Sequence, residues 1–257
     1  MTKNTEFLIH NIKLAATLAT CDVRSKYRRS MLGPFWLTIN MSVIIVSIGL
    51  VFGSIFGSPM EEFLPFLAVG FILWTFIAST INDGCTAFIE AEIIIKQLPI
   101  PLFVFILRIL WKNVLILSHN ILILACVFLF YSKGLSVVAL LSIPALLLVL
   151  LFLSWIASLC AMLGARFRDS APIVSNLLQV LFFLTPIIWM PSSLSAHRVG
   201  FLEWNPFYHL VELIRSPLLG QAPRLTSWFV ILGIALSGCL FILFVFTRKR
   251  ARVVYWL

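Results

Sequence analysis

The chain has 257 residues, of which 61% are hydrophobic and only 11% are charged. Apolar runs of 18 or more residues need a bilayer to bury them, so this composition excludes a soluble fold. The formal net charge of +9 is expected to set orientation in the membrane, and nucleic acid is not expected as a partner. The sequence therefore predicts an all-α integral membrane protein with one polytopic domain, 1–257.

The chain begins with a segment, 4–30, that is expected to lie along the membrane interface. Within it, 4–22 has the pattern of an amphipathic helix that is too polar to span. One face carries apolar side chains, namely Leu8, Ile12, Ala15 and Ala19. The polar residues Asn11, Lys13 and Asp22 fall elsewhere, and a basic cluster follows. A short, partly ordered tail is the alternative interpretation.

Six apolar stretches are each long enough to cross a bilayer. They cover 33–57, 63–82, 104–131, 136–164, 172–190 and 226–247. If these stretches are spans, fifteen of the nineteen Lys and Arg residues lie on the same side as the termini, and four lie on the other side. Because cytoplasmic loops retain Lys and Arg, both termini are expected in the cytoplasm.

Two polar segments interrupt the spans. Segment 83–101 carries charged residues and ends in Pro-Ile-Pro, so it is expected to form a short cytoplasmic helix closed by a rigid turn. Segment 191–225 carries four prolines among apolar residues. It is expected to form two short re-entrant or interfacial helices on the outer side, where irregular backbone must be covered by protein or face water.

Several kinds of chemistry are missing from the sequence. The dipeptide Gly-Lys does not occur, so the chain has no phosphate loop for ATP. The four histidines lie far apart, and the five cysteines show no CxxC spacing, so no metal site is indicated. No span carries the buried carboxylates of an ion-coupled carrier. We therefore expect no catalytic residues and no cofactor in this chain, and energy for any uphill transport must come from elsewhere.

Two sequence runs are similar to motifs of a known family. Residues 22–36, DVRSKYRRSMLGPFW, lead into the first span, and residues 204–215, WNPFYHLVELIR, precede the last. They resemble the permease subunits of type-2 ABC exporters that move O-antigen, capsule or teichoic acid chains. The order and spacing of the other segments are similar over essentially the whole chain. The second run also resembles the wider superfamily, which includes drug and haem exporters.

This resemblance implies a homodimer in the bacterial inner membrane with two copies of a separate ATP-binding subunit, which would hold ATP and Mg. It implies a lipid-linked glycan as cargo, with O-antigen of lipopolysaccharide as the first expectation. Two alternatives stay open. One is a type-2 exporter of a small hydrophobic molecule. The other is a membrane-embedded glycosyltransferase or acyltransferase, for which the chain lacks suitable acidic or histidine groups.

The resemblance also suggests roles for residues on the cytoplasmic side. A basic cluster is expected to bind the lipid pyrophosphate, because clustered guanidinium groups suit phosphate oxygens. It comprises Arg24, Lys26, Tyr27, Arg28 and Arg29. Contact with anionic lipid is the alternative. Segment 83–101 is expected to receive force from the ATPase through Glu90, Glu92, Lys96 and Gln97. An ordinary surface helix is the alternative.

Further roles concern the cargo path and its exit. Sugar rings pack on aromatic planes and bind amide groups, so the path is expected along Trp36, Asn40, Gln179, Phe182, Phe183 and Trp189. Aromatic belts and interhelical hydrogen bonds are the alternatives. The outer gate is expected at Asn205, Pro206, Glu212 and Arg215. Glycines at 49, 53 and 57 form a bare face that packs either within the subunit or at the dimer seam.

Overall fold

The computed structural model describes residues 2–26, 28, 30–33, 35–131, 134, 136–191 and 200–257. Over these residues the chain is helical and contains no strand, which confirms the predicted all-α class. The helices are α1 Thr2–Lys26, α2 Phe35–Phe56, α3 Met60–Glu90, α4 Glu92–Gln97, α5 Phe103–Phe130, α6 Ser142–Arg166, α7 Ser170–Leu184, α8 Pro206–Leu218 and α9 Leu225–Trp256. Short 3-10 helices cover Val137–Leu141 and Gly200–Trp204.

Five helices in the described residues are long and apolar enough to cross a membrane. They are Phe35–Phe56, Met60–Glu90, Phe103–Phe130, Val137–Arg166 and Leu225–Arg250. The stretch expected as a further span, 172–190, differs from them, because α7 has only 15 residues. A helix of that length covers about 22 Å of a hydrocarbon core that is about 30 Å thick. The count of six spans therefore stays a prediction.

The early end of α7 has a local cause in Pro186. The residue before a proline is driven out of the α region by the proline ring. Thr185 accordingly adopts extended angles, with φ −99° and ψ 134°, and ends the helix. Residues 185–189 continue as bends, and hydrogen bonds join Thr185 and Pro186 to Asn205 and Arg215.

The central helix of the molecule is α3, which packs against α2, α5, α6 and α7. Its crossing with α6 is close because glycine stands at both contact points. A Cβ added to Gly84 would lie 3.0 Å from the Cα of Ala157, and one added to Gly164 would overlap the carbonyl oxygen of Cys85. Bare faces of this kind let two membrane helices approach backbone to backbone.

The glycine face of α2 packs within the chain. A Cβ at Gly49 would meet Leu64 of α3, and one at Gly53 would lie 2.6 Å from Sδ of Met60. Gly57 has a different task, since its φ of +59° ends α2 in the left-handed region. Of the two arrangements that the sequence left open, the structure has the intrachain one for Gly49 and Gly53.

Helix α1 lies against α5 and buries a strip of small side chains. The buried side chains are Asn11, Ala15, Ala19 and Val23. Leu8 and Ile12 are about half exposed, at 49% and 48%. Ala15 and Ala19 of the predicted apolar face thus pack against the bundle, and Leu8 and Ile12 of that face stay exposed. The placement of α1 along the membrane interface remains a prediction. A narrow strip of small side chains lets α1 approach α5 closely enough for Asp22 to reach Arg108.

The segment expected on the cytoplasmic side also differs from the predicted bounds, 83–101. Helix α3 runs without a break to Glu90, and only Glu92–Gln97 form a separate short helix. The charge of Asp83 does not interrupt α3, because Lys112 and Asn113 of α5 bind its carboxylate. Beyond α4, residues 98–101 make the expected turn into α5.

In segment 191–225 the described residues form one 3-10 helix, Gly200–Trp204, and one α-helix, α8. Residues 192–199, where part of the expected outer hairpin falls, lie outside the described residues. An irregular link, 221–224, leads from α8 into α9.

Candidate functional site

The basic cluster before α2 is exposed where the structure describes it. The side chains of Arg24, Lys26 and Arg28 are all exposed, and Tyr27 and Arg29 lie outside the described residues. Exposed guanidinium and ammonium groups are accessible to phosphate oxygens from the membrane surface.

A layer of ion pairs lies behind this cluster and joins three helices. Arg108 donates two hydrogen bonds of 2.6 Å to the carboxylate of Asp22. The carboxylate of Asp83 lies 2.8 Å from Nζ of Lys112 and accepts a 2.8 Å hydrogen bond from Asn113. A cavity of about 130 Å³ lies beside these groups. These ion pairs fix the positions of α1 and α3 relative to α5.

Sequence reasoning missed this layer. It gave no role to Arg108 and Lys112, and both pair with carboxylates of other helices. The sequence did contain a signal for it. Arg108 and Lys112 are four residues apart and share a face of α5, while Asp22 ends the segment 4–22 and Asp83 directly follows the span 63–82. Paired charges of this kind are the usual state of ionisable groups at membrane depth.

Helix α4 presents an apolar ridge with a charged pair beside it. Ile93 is 70% exposed and Leu98 is 53% exposed, whereas Ile95 is buried. Nζ of Lys96 lies 2.6 Å from the carboxylate of Glu92. That hydrogen bond and the charge of Lys96 hold the pKa of Glu92 below its ordinary value. Exposed apolar side chains with a polar rim suit a protein–protein contact.

The other two expected coupling residues differ in their settings. Gln97 is exposed at the end of α4. Glu90 is exposed at the end of α3 and accepts a 2.7 Å hydrogen bond from Thr86 of the same helix. Glu90 thus belongs to the long helix, and only Ala91 separates it from α4.

The residues expected along the cargo path fall into two groups. Trp36 and Asn40 are exposed on α2, and Gln179 and Phe183 are exposed on α7. Helix α2 packs on α3 and α5, whereas α7 packs on α3 and α6. Within one chain, therefore, the two helices that carry these exposed residues both pack against α3.

The side chains of Phe182 and Trp189 contact other residues of the chain and are not exposed as Gln179 and Phe183 are. The ring centroid of Phe182 lies 6.0 Å from that of Phe71 and 5.8 Å from that of Trp74. Nε1 of Trp189 donates a 3.2 Å hydrogen bond to the carbonyl oxygen of Phe183. These contacts anchor α7 and the bend that follows it.

The N-terminus of α8 is capped by Asn205. Its side-chain oxygen accepts a 2.9 Å hydrogen bond from the backbone N–H of Phe207. Its amide donates a 3.0 Å hydrogen bond to Oγ1 of Thr185. Pro206 occupies the first helical turn, where a missing N–H costs little. The Asn-Pro pair thus starts α8 and ties it to the end of α7.

Arg215 is buried, with 1% of its surface exposed. It donates hydrogen bonds of 2.6 Å to the carbonyl oxygen of Pro186 and to the carboxylate of Glu212. Its guanidinium carbon lies 4.0 Å from the ring centroid of Phe66 in α3. The arginine of this pair is therefore part of the protein interior.

Glu212 completes this cluster. Its second carboxylate oxygen accepts a hydrogen bond from Ser216. Burial by itself raises the pKa of Glu212, but the charge of Arg215 and the hydrogen bonds from Ser216 and Arg215 outweigh burial and lower it. The carboxylate is thus held in its charged form between α8 and the bend after α7.

His209 is a further anchor that sequence reasoning did not single out. One ring nitrogen lies 2.8 Å from Oγ of Ser227, and the other lies 2.9 Å from the carbonyl oxygen of Glu203. It therefore joins α8 to the start of α9. Among the described residues, no three His, Cys, Asp or Glu side chains are placed to bind a metal ion.

Comparison with known proteins identifies the class. Residues 14–219, from α1 to the end of α8, match the ABC-2 type transporter family. The chain therefore belongs to the ABC-2 type transporter family and is a multi-pass membrane permease, as the two sequence runs suggested. Membership implies a partner that carries the ATP-binding site.

Three relatives illustrate the similarity. The O-antigen export system permease protein RfbA of Myxococcus xanthus is 23% identical over 200 residues, which is 77% of each chain. The polysialic acid transport protein KpsM of Escherichia coli is 25% identical over 203 residues, 77% of this chain and 78% of the relative. The RfbA protein of Klebsiella pneumoniae is 24% identical over 203 residues, 77% of each chain.

Proposed function

We propose that this chain is the membrane-spanning subunit of an ABC transporter that exports a lipid-linked cell-surface polysaccharide across the bacterial inner membrane. O-antigen is the first choice of cargo, followed by capsular polysaccharide and teichoic acid. The observation that carries the proposal is the similarity, over 77% of the chain, to two O-antigen export permeases and a polysialic acid transport protein.

In the proposed mechanism α4 is the contact for the ATP-binding subunit. The exposed Ile93 and Leu98 would enter a groove of that subunit. Because a single residue joins α4 to α3, a push on α4 moves the 31-residue helix on which α2, α5, α6 and α7 pack. A long helix transmits such a displacement with little internal bending.

The proposed cargo path lies between two copies of the chain. The lipid pyrophosphate binds at Arg24, Lys26 and Arg28 on the cytoplasmic surface, and the glycan then passes along the exposed faces of α2 and α7. Asn40 and Gln179 offer amide groups to sugar hydroxyls, while Trp36 and Phe183 offer aromatic planes. The glycan chain then leaves the membrane beside α8. Both termini are cytoplasmic in this arrangement, and α7 with the bend after it serves as the sixth span.

One observation favours the alternative of a small hydrophobic cargo. A cavity of about 470 Å³ lies between α2, α3 and α5, and its lining is almost wholly apolar. Its volume is in the range that holds drug-sized ligands. Exporters of drugs and of polysaccharides share this family's layout, so the cargo has to be decided by transport.

The deciding experiment combines co-purification with transport. The tagged chain is expected to bring down a separate ATP-binding polypeptide in equal amounts. Inverted vesicles containing both are expected to take up lipid-linked glycan only when ATP is present. ATP-driven uptake of a hydrophobic dye, without glycan uptake, would support the alternative. Nucleotide hydrolysis or uphill transport by the isolated chain would overturn both.

A further inference from the structure

A groove lies between the turn into α5 and the helices α6 and α9. Its volume is about 360 Å³. The walls are mainly apolar and include Leu102, Phe103, Ile242 and Phe246. Arg250 is the last residue of α9 in the lining. The groove is therefore a hydrocarbon-lined slot with one cationic end.

The hydroxyl groups in the groove are already satisfied by their own helices. Ser158 donates a 2.6 Å hydrogen bond to the carbonyl oxygen of Ser154. Thr247 donates a 2.9 Å hydrogen bond to the carbonyl oxygen of Phe244. A sugar would gain few hydrogen bonds here, whereas an alkyl chain needs none. The interior thus suits hydrocarbon.

The cationic end lies where α9 changes from apolar to basic. Phe244–Val245–Phe246 is followed by Arg248, Lys249 and Arg250 within about one helical turn. Arg250 is exposed, and no acidic side chain of the described residues forms an ion pair with it. In a spanning helix this transition marks the level at which acyl chains give way to headgroups.

We propose that this groove binds an anionic phospholipid. One acyl chain lies between Phe103, Ile242 and Phe246, and the phosphate is held by Arg250. The proposal depends on α9 spanning the membrane and does not depend on the identity of the cargo. Since 101–103 form one wall directly after the candidate coupling helix, a bound lipid would fix the turn between α4 and α5. The lipid thus becomes a structural ligand of the cytoplasmic surface.

The test uses the full chain purified in a neutral detergent and titrated with phosphatidylglycerol or with phosphatidylcholine of the same acyl chains. Phosphatidylglycerol is expected to raise the apparent melting temperature, and phosphatidylcholine is not. Arg250→Gln is expected to weaken phosphatidylglycerol binding about tenfold, because a charge-assisted phosphate contact is lost. Arg252→Gln removes the same charge two residues further on, outside the groove lining, and is expected to bind normally.

A second pair of variants tests the apolar slot. Ser158→Leu places a larger side chain in the groove and is expected to reduce binding, while Ser154→Leu, one turn away on the same helix and outside the groove lining, is expected to bind like the wild type. If Arg250→Gln and Arg252→Gln weakened phosphatidylglycerol binding equally, the effect would come from the overall positive charge of the C-terminal end of α9. That result would overturn the proposal. Stabilisation by a polyprenyl pyrophosphate but not by phosphatidylglycerol would also overturn it.

Discussion

At the scale of single residues, the buried charge of Arg215 is balanced by Glu212 and by the carbonyl oxygen of Pro186. Arg215→Ala would leave the Glu212 carboxylate buried without its cation. Breaking a buried pair from one side costs about 3–5 kcal/mol. We expect a loss of that size in the free energy of unfolding, measured by denaturant titration in micelles.

The control for Arg215 is a second arginine–glutamate pair, whose two residues flank α8 in the sequence. Arg224 lies 3.7 Å from Glu203, and their side chains are 64% and 65% exposed. Exposed pairs contribute about 0–1 kcal/mol, so Arg224→Ala is expected to change stability very little. Equal losses in the two alanine variants would show that burial does not set the value of the Arg215 pair.

A pH dependence follows from Glu212, whose pKa in the folded protein lies below the ordinary 4.5. A carboxylate with a lowered folded pKa stabilises the fold fully above its unfolded pKa, and this contribution is lost as the pH falls through the folded pKa. The stability difference between wild type and Glu212→Gln is therefore expected to be constant near neutrality and to shrink below pH 4.5. Unfolding midpoints of both proteins across the acid range measure it.

Glu203→Gln serves as the comparison for this pH series. Glu203 is 65% exposed and lies 3.7 Å from Arg224. The stability difference between wild type and the Glu203→Gln variant is therefore expected to be small at every pH. If the stability difference between wild type and Glu212→Gln did not change with pH, that result would contradict the assigned role of the buried carboxylate.

The i, i+3 spacing of Glu212 and Arg215 allows their side chains to meet on one helix, but nothing in the sequence indicated how deeply they are buried. The groups that enclose Arg215 come from far along the chain. Phe66 belongs to α3, and Pro186 follows α7. Local spacing shows which side chains of one helix can meet, whereas burial depends on which other helices pack over them.

At the scale of helices, the crossing of α3 and α6 depends on Gly164. A methyl group there would overlap the backbone carbonyl of Cys85, and backbone cannot rotate away as a side chain can. Gly164→Ala is therefore expected to destabilise the protein by about 3 kcal/mol, the upper part of the usual range for overpacking. The loss is measured as a lower unfolding midpoint and lower yield of folded protein in micelles.

Gly233 of α9 provides the matched control. A Cβ added there meets no atom within 4 Å. Gly233→Ala is expected to be neutral or slightly stabilising, because alanine favours the helix more than glycine does. If Gly164→Ala were as stable as Gly233→Ala, the two helices would have to be further apart than the structure places them.

Helix α4 gives a prediction about coupling. Changing Glu90 and Glu92 to Lys reverses two exposed or half-exposed charges beside the ridge without touching the core. Membrane insertion is expected to stay intact, while ATP hydrolysis by the complex loses its link to glycan export. Ile93→Ser, at a side chain that is 70% exposed, is expected to weaken binding of the ATP-binding subunit about tenfold.

Val137→Ser controls for exposed apolar area, since Val137 is 83% exposed and lies in the 3-10 helix that precedes α6. Pull-down of the ATP-binding subunit and ATPase assays in proteoliposomes measure the effects. Normal export by the double lysine variant would remove α4 from the mechanism.

The length of the apolar runs predicted five of the spans, because a hydrocarbon core fixes how many residues a helix needs to cross it. Two boundaries were missed for physical reasons. The charge of Asp83 was taken as the end of a span, but Lys112 and Asn113 neutralise and bind it within the bundle. The apolar run 172–190 contains Pro186, and the hydropathy of the run says nothing about where the helix stops.

At the scale of the whole molecule, one copy of the chain leaves α7 poorly covered. Leu178 is the only side chain of α7 that is fully buried. Asn176 and Gln179 are exposed beside Ile173 and Val180. A primary amide left in hydrocarbon costs about 1–3 kcal/mol, so these two groups are expected to face protein or water. The sequence indicated Gln179 for the cargo path but contains no direct information on what covers this face of α7.

A second copy of the chain is expected on this face, and cross-linking can detect it. In a background with Cys21, Cys126 and Cys239 changed to Ser, Gln179→Cys is expected to give a cross-linked dimer in membranes treated with a short bifunctional maleimide. Ser237→Cys is the control, because Ser237 is exposed on α9. A face that meets another copy brings two thiols within reach, whereas a lipid-facing position does not. Equal cross-linking at both positions, or none at position 179, would place lipid against α7.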